Sequence, residues 1–186
     1  DKQVKLVLET FEEERDIVAV MAKSRQKDDE VDREDWDPLK WEQFIDKLIN
    51  KLKVNIVLIG VPKTGNYPGS LDFKDSAMYG ANEKYIKSFV VDNEDSIDVQ
   101  ISILKNTKCS FYGSSGAAAF PYLTNTPTFT HQRTENSFRL FFEWEKRLTG
   151  GHKNVRVFDK YPGGQMWDIP VDEMYEEFAK FYKEIS

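Results

Sequence analysis

The sequence has one cysteine, two histidines and no apolar stretch longer than about seven residues. Each scarcity removes a class of function. The lone Cys109 can form no internal disulfide, and its place in an apolar run makes it a small buried hydrophobe of a reduced compartment. Seven apolar residues fall far short of the roughly 20 that a membrane-spanning helix needs. No signal peptide is visible, so a cytoplasmic location is the expectation. His131, His152 and Cys109 form no cluster with metal-ligand spacing. Basic residues are in the minority, 26 against 32 acidic ones, for a formal charge of -6. With no Lys/Arg stripe, a nucleic-acid duplex is excluded as the expected partner. There is no internal repeat or low-complexity tract.

What is present suffices for one well-buried domain: 186 residues, 40% hydrophobic and 13% aromatic. Residues 16–186 are expected to form it, with 1–15 as a lead-in helix or a link to another domain. The chain begins at Asp1 without an initiator methionine, which fits a trimmed chain or one domain of a longer protein.

Six short segments rich in Val, Ile and Phe, at 16–22, 54–60, 85–91, 108–112, 127–131 and 154–158, read as strands, several buried on both faces. Helical periods lie between them. Trp41, Phe44, Ile45, Leu48, Ile49 and Leu52 form one apolar stripe, opened by Asp37 as N-cap and Pro38 at the first helical position. Ile97, Ile101 and Leu104 mark a shorter helix. Phe138, Phe141, Phe142 and Leu148 mark another, and Met174, Phe178, Phe181 and Ile185 the last. Strands alternating with helices over short loops give parallel strands and right-handed crossovers. The expected fold is therefore α/β, a doubly wound, mainly parallel six-stranded Rossmann-like sheet of strand order 3-2-1-4-5-6. The connection at 61–82 is long, which favours a functional or mobile loop.

In such a sheet ligands bind at the carboxyl ends of the strands. There the chain places YGSSGAAAF, residues 112–120. If Ser115 or Gly116 opens a helix, the amides of Ser115, Gly116 and Ala117 point into the cleft, and the hydroxyls of Ser114 and Ser115 add donors for a phosphate. The bland reading is a tight turn whose alanines permit close packing. Gly113 to Ala117 also approximates a G-x-S-x-G nucleophile elbow, but no acid and histidine follow in hydrolase order. Asp35-Trp36-Asp37 has the form of a D-x-D metal motif, yet it precedes a proline and a helix, so capping by Asp37 explains it better. Ser24 and Arg25, after the first strand, reach the same edge as Ser114; Arg25 can bind a diphosphate or pair with Asp28 or Asp29 on the surface. Val61 and Lys63, after strand-ending Gly60, add a further cation there.

Taken in order, AKSRQ, REDWDPLKWEQFIDKL, VNIVLIG, SIDVQISILKNTKCSFYGSSGAAAFPYL and NTPTFTH resemble the C-terminal, donor-binding domain of a GT-B type glycosyltransferase. The chain is most similar to the heptosyltransferase family that builds lipopolysaccharide cores, over roughly residues 16–184. The resemblance implies that Ser24 and Arg25 contact the donor phosphate and that Ser114, Ser115 and Gly116 form the turn on which it rests. Ala119 stands where the family has a histidine, and Ser114 where it has an acidic residue or its amide; the sugar is left open between a heptose and a deoxyhexose. The resemblance further implies a metal-independent transfer with no cofactor, in which helix amides and cations stabilise the departing nucleoside diphosphate. The catalytic base would come from an additional acceptor domain, or from Asp28, Asp29 or Asp32.

The expected function is thus transfer of a sugar from a nucleotide sugar to a glycan acceptor. The diphosphate would lie on residues 114–117 and the base near Val61 and Val91. A phosphosugar-binding or nucleotide-binding epimerase or isomerase relative is the alternative, and a noncatalytic interaction domain a third.

Overall fold

Strands buried on both faces need layers on both sides, and the alternation of side chains sorts them. In β1 (Ile17–Met21), Val18 and Val20 belong to one core and Ala19 and Met21 to the other. In β2 (Asn55–Gly60), Ile56 and Leu58 point one way and Val57 and Ile59 the other. The computed structural model describes residues 4, 8–23, 35–62, 69–91, 96–113, 120–131, 155–158 and 168–186. The expected helix around Phe138 to Leu148 lies outside them.

The remaining strands are β3 (Ile86–Val90), β4 (Cys109–Tyr112), β5 (Thr128–His131) and β6 (Val155–Phe158). All pairings between these strands are parallel, in the order β3-β2-β1-β4-β5-β6. The order expected from the rhythm of the sequence is the order observed.

One face carries α1 (Pro38–Lys47) and the C-terminal α5 (Val171–Glu184). Asp37 caps α1, its Oδ1 accepting the Lys40 N–H at 2.9 Å. The helix continues through a π-helical turn, Leu48–Leu52, and stops at Lys53, whose left-handed φ of 59° ends it. Trp41, Phe44, Phe111 and Phe178 meet edge to face beneath these helices, with Trp36 against Trp41 at 5.2 Å between ring centroids. The opposite face is covered by α3 (Ser96–Lys105), following the short α2 (Ala77–Ala81). Ile103 and Leu104 pack there on Ala19, Val57 and Tyr112, together with Val4 and Leu8 from the start of the chain. The short α4 (Phe120–Thr124) lies next to α3. Buried hydroxyls in β4 and β5 satisfy one another, Ser110 Oγ to Thr128 Oγ1 at 2.8 Å and Thr128 Oγ1 to the Thr126 carbonyl at 2.9 Å.

Polar contacts tie the amino edge of the sheet. Asp16 accepts from Lys108 and from the Tyr182 hydroxyl, which joins β1, β4 and the end of α5. The Lys108 and Tyr182 contacts hold the Asp16 carboxyl below its ordinary range. Because the folded value is lowered, this contribution is present at neutral pH and is lost as acid protonates the carboxylate. Tyr182→Phe should therefore lower stability by about 1 kcal/mol at pH 7, and thermal denaturation should show the difference closing in acid. At the other side Glu13 accepts from Tyr85 and Arg15, which pull its carboxyl down to about 2.

Candidate functional site

Strand order reverses between β1 and β4, which lie side by side with Met21 opposite Tyr112. That reversal parts the crossovers to opposite faces and opens a crevice at the carboxyl edge. The chain leaves β1 through Ala22 and Lys23, β2 through Val61 and Pro62, β3 through Val91, and β4 through Gly113. Ser24, Arg25, Lys63, Ser114, Ser115, Gly116 and Ala117 follow these points in the chain and lie outside the described residues, as do Asp28, Asp29 and Asp32. Gly60, Val61 and Val91 are placed at the edge itself, with the Val91 N–H donating to the Gly60 carbonyl at 3.3 Å. Val61 is exposed.

The connection after β2 does not run free. The Ser70 N–H donates to the Val61 carbonyl at 2.7 Å and the Leu71 N–H to the Ala22 carbonyl at 2.9 Å, and Ser70 forms an antiparallel bridge with Lys23. Residues 69–76 are thereby folded back over the ends of β1 and β2. Between them, the start of α1 and the ends of β2 and β3 lies a groove of about 530 Å³. Pro62, Leu71, Phe73 and Val90 give it apolar walls, and Glu42, Asp72 and Asp75 line it with carboxylates. Pro62 and Val90 are chain neighbours of Val61 and Val91, so the groove opens beside the position expected for a nucleobase.

Trp41 braces the same edge from below. Its Nε1–H donates to the Lys23 carbonyl at 2.7 Å, fixing the point at which the chain enters the segment with Ser24 and Arg25. Trp36 similarly donates to the Ile169 carbonyl at 3.1 Å. Since Trp36 is fully buried and Asp37 is spent on the helix cap, the Asp35-Trp36-Asp37 triplet serves as a helix entry. Among the described residues, two buried polar side-chain atoms at the ends of β4 and β5 have no hydrogen-bond partner, the Tyr112 hydroxyl and His131 Nδ1. Register and alternation put them on opposite faces, Tyr112 with the α3 core and His131 beside Phe129 and Phe158. Burial pushes the Tyr112 phenol up and the His131 imidazole down to about 4. Cys109 is fully buried and its thiol is likewise pushed up, which leaves it unreactive.

Glu42, Ser70 and Asp72 were not singled out by pattern. Trp41 is legible only as core, and the groove residues come from a helix and a loop that tertiary contacts bring together.

No protein-family model matches the sequence, and no curated protein matches it by sequence. Solved structures do match its fold. ADP-heptose lipopolysaccharide heptosyltransferase II of E. coli aligns with 99% of this chain and 52% of its own, at TM-score 0.64 and 14% identity. E. coli heptosyltransferase WaaC, solved with ADP-2-deoxy-2-fluoro heptose, aligns with 95% of this chain and 47% of its own, at TM-score 0.59 and 14% identity. A family 9 glycosyl transferase from Veillonella parvula aligns at TM-score 0.56 and 10% identity, over 99% of this chain and 52% of its own. The chain thus spans about half the length of the structures it resembles. Its six parallel strands and their order give it a Rossmann-like fold, similar to that of about half of each of these glycosyltransferase structures.

Proposed function

We propose that this chain is the donor-binding part of a metal-independent, cytoplasmic glycosyltransferase. It transfers a sugar, a heptose or a deoxyhexose, from a nucleoside-diphosphate sugar to a glycan acceptor. The observation that carries the reading is the groove at the carboxyl ends of β2 and β3, on the same sheet edge as the strand-order reversal, where α/β sheets of this kind take nucleotides. Two of the similar structures hold ADP or an ADP-sugar analogue, which supports a nucleotide sugar as ligand.

In this reading the nucleobase occupies the groove, and the diphosphate lies toward β1 and β4. There the amides of Ser115, Gly116 and Ala117, the hydroxyls of Ser24 and Ser114, and the Arg25 and Lys63 cations stabilise the charge that grows on the leaving group. No catalytic step needs a cofactor. The acceptor is held by a further domain, with the base coming from that domain or from Asp28, Asp29 or Asp32.

Titration calorimetry with nucleoside diphosphates tests the reading. Binding by at least one of them is expected, and Arg25→Ala should weaken it about tenfold, the worth of one charge-assisted contact. Binding without transfer or slow donor hydrolysis would favour an epimerase-like or isomerase-like module. No binding at all would leave an interaction domain as the better account.

A further inference from the structure

The walls of the groove come from different elements, and a short chain of bonds links two of them. Pro38 and Glu42 line it from α1, and Leu71 and Phe73 from the segment 69–76. Trp41 stands between Pro38 and Glu42 on the helix, fully buried, its ring edge to face with Trp36 and Phe111. Its Nε1–H donates to the Lys23 carbonyl at 2.7 Å, and Lys23 forms the antiparallel bridge to Ser70. The indole thus belongs to one wall and holds the other through Lys23.

The segment 69–76 needs such a hold. Phe73 has φ 56°, a left-handed conformation that a bulky residue keeps only where its surroundings enforce it. The enforcing bonds lie on both sides of it. The Ser76 N–H donates to the Phe73 carbonyl at 2.8 Å, the Ser70 N–H to Val61 at 2.7 Å and the Leu71 N–H to Ala22 at 2.9 Å. Ala22 precedes Lys23 directly, so a shift of the chain where it leaves β1 is passed to Leu71. Without the indole N–H the Lys23 carbonyl loses this donor, and the strained wall loses part of its anchorage.

Building on the reading of the chain as a nucleotide-sugar-binding unit, we propose that Trp41 is a positioning residue: its Nε1–H sets the spacing between the α1 wall and the Phe73 wall, and with it the affinity for the nucleotide. Trp41 acts through Lys23 and Ser70, not by contact with the ligand. Trp36 supplies a matched control. It too is a fully buried indole bonded to a carbonyl, but its acceptor is Ile169, just ahead of α5, and neither residue lines the groove.

Calorimetry with ADP, GDP and UDP, paired with amide hydrogen exchange, tests the proposal on Trp41→Phe and Trp36→Phe. Each variant keeps an aromatic ring and removes one N–H donor. Trp41→Phe should weaken the tightest of the three nucleotides tenfold or more, and Trp36→Phe should change it less than about twofold. Exchange at the Ser70 and Leu71 amides should quicken at least tenfold relative to Leu58, inside β2, in Trp41→Phe alone. If Trp41→Phe does not fold, 3-benzothienylalanine at position 41, which keeps the bicyclic shape and puts sulfur in place of the N–H, takes its part. Unchanged affinity in the Trp41 variant, or equal losses in the two variants, would overturn the positioning role and leave nucleotide binding standing. A loss of affinity with unchanged exchange at Ser70 and Leu71 would overturn it as well. Binding of none of the three nucleotides by wild type would overturn the nucleotide reading and, with it, the role given to Trp41.

Discussion

Gly60→Ala should destabilise the protein by about 2–5 kcal/mol, one of the largest effects of a single methyl group in this chain. Two costs combine. The residue has φ 135°, a conformation that side-chain-bearing residues rarely adopt. Space is the second, since a Cβ there would stand 1.9 Å from Ser70 Oγ and 2.5 Å from Ser70 Cβ. Ser70 cannot simply withdraw, because its own N–H is bonded to Val61 and its neighbour Leu71 is bonded to Ala22. Relief therefore means unpicking the segment that forms one wall of the groove. Denaturant unfolding of Gly60→Ala, Ser70→Gly and the double variant separates the costs. The double variant should recover the steric part and retain the backbone part, a coupling of about 1 kcal/mol or more. A single Gly60→Ala variant within about 0.5 kcal/mol of wild type, the spread of ordinary surface changes, would show that the close approach is absent in solution.

The sheet was legible because its information is local and periodic. Six apolar segments separated by helical periods leave little freedom of topology once crossovers are right-handed, and Asp37-Pro38 announces α1 from two residues. Gly60 could be read as a strand-ending glycine, though not the reason for it, which is Ser70, ten places on in the sequence. The groove was illegible for a similar reason. Glu42 follows Trp41 directly on α1 and reads as ordinary solvated surface, and the 61–82 connection reads as loop. Only the bonds from Ser70 and Leu71 back to Val61 and Ala22 bring Asp72 and Phe73 over the edge. Similarly, Thr128, Phe129, Thr130 and His131 alternate in a way that suggests one wet face, whereas all four are buried. Their hydroxyls find partners inside, and β6 covers the outer edge.

His131 gives that burial a measurable consequence: lowering the pH from 6.5 toward 4 should remove roughly 3 kcal/mol of stability through this one residue. The residue is 2% exposed, its ring lies with its centroid 6.3 Å from that of Phe158, and its Nδ1 has no hydrogen-bond partner among the described residues. Desolvation holds its pKa at about 4, against 6.5 for a free imidazole. Between these values the unfolded chain binds a proton that the folded chain refuses, so unfolding gains free energy as acid is added. Above pH 6.5 both states are neutral at this position and the residue adds no pH dependence. His131→Leu should flatten the stability profile through this window, and at pH 5 it should exceed wild type, because it removes both the latent charge and the unsatisfied nitrogen. Carboxylates such as Glu13 and Asp16, whose values are lowered, lose their contributions at lower pH, so the two effects can be resolved. If the slope between pH 6.5 and 4 survives in His131→Leu, the proton enters elsewhere and the imidazole at the end of β5 is already hydrated. If it disappears, the carboxyl edge beside the site holds a dry, neutral imidazole at physiological pH.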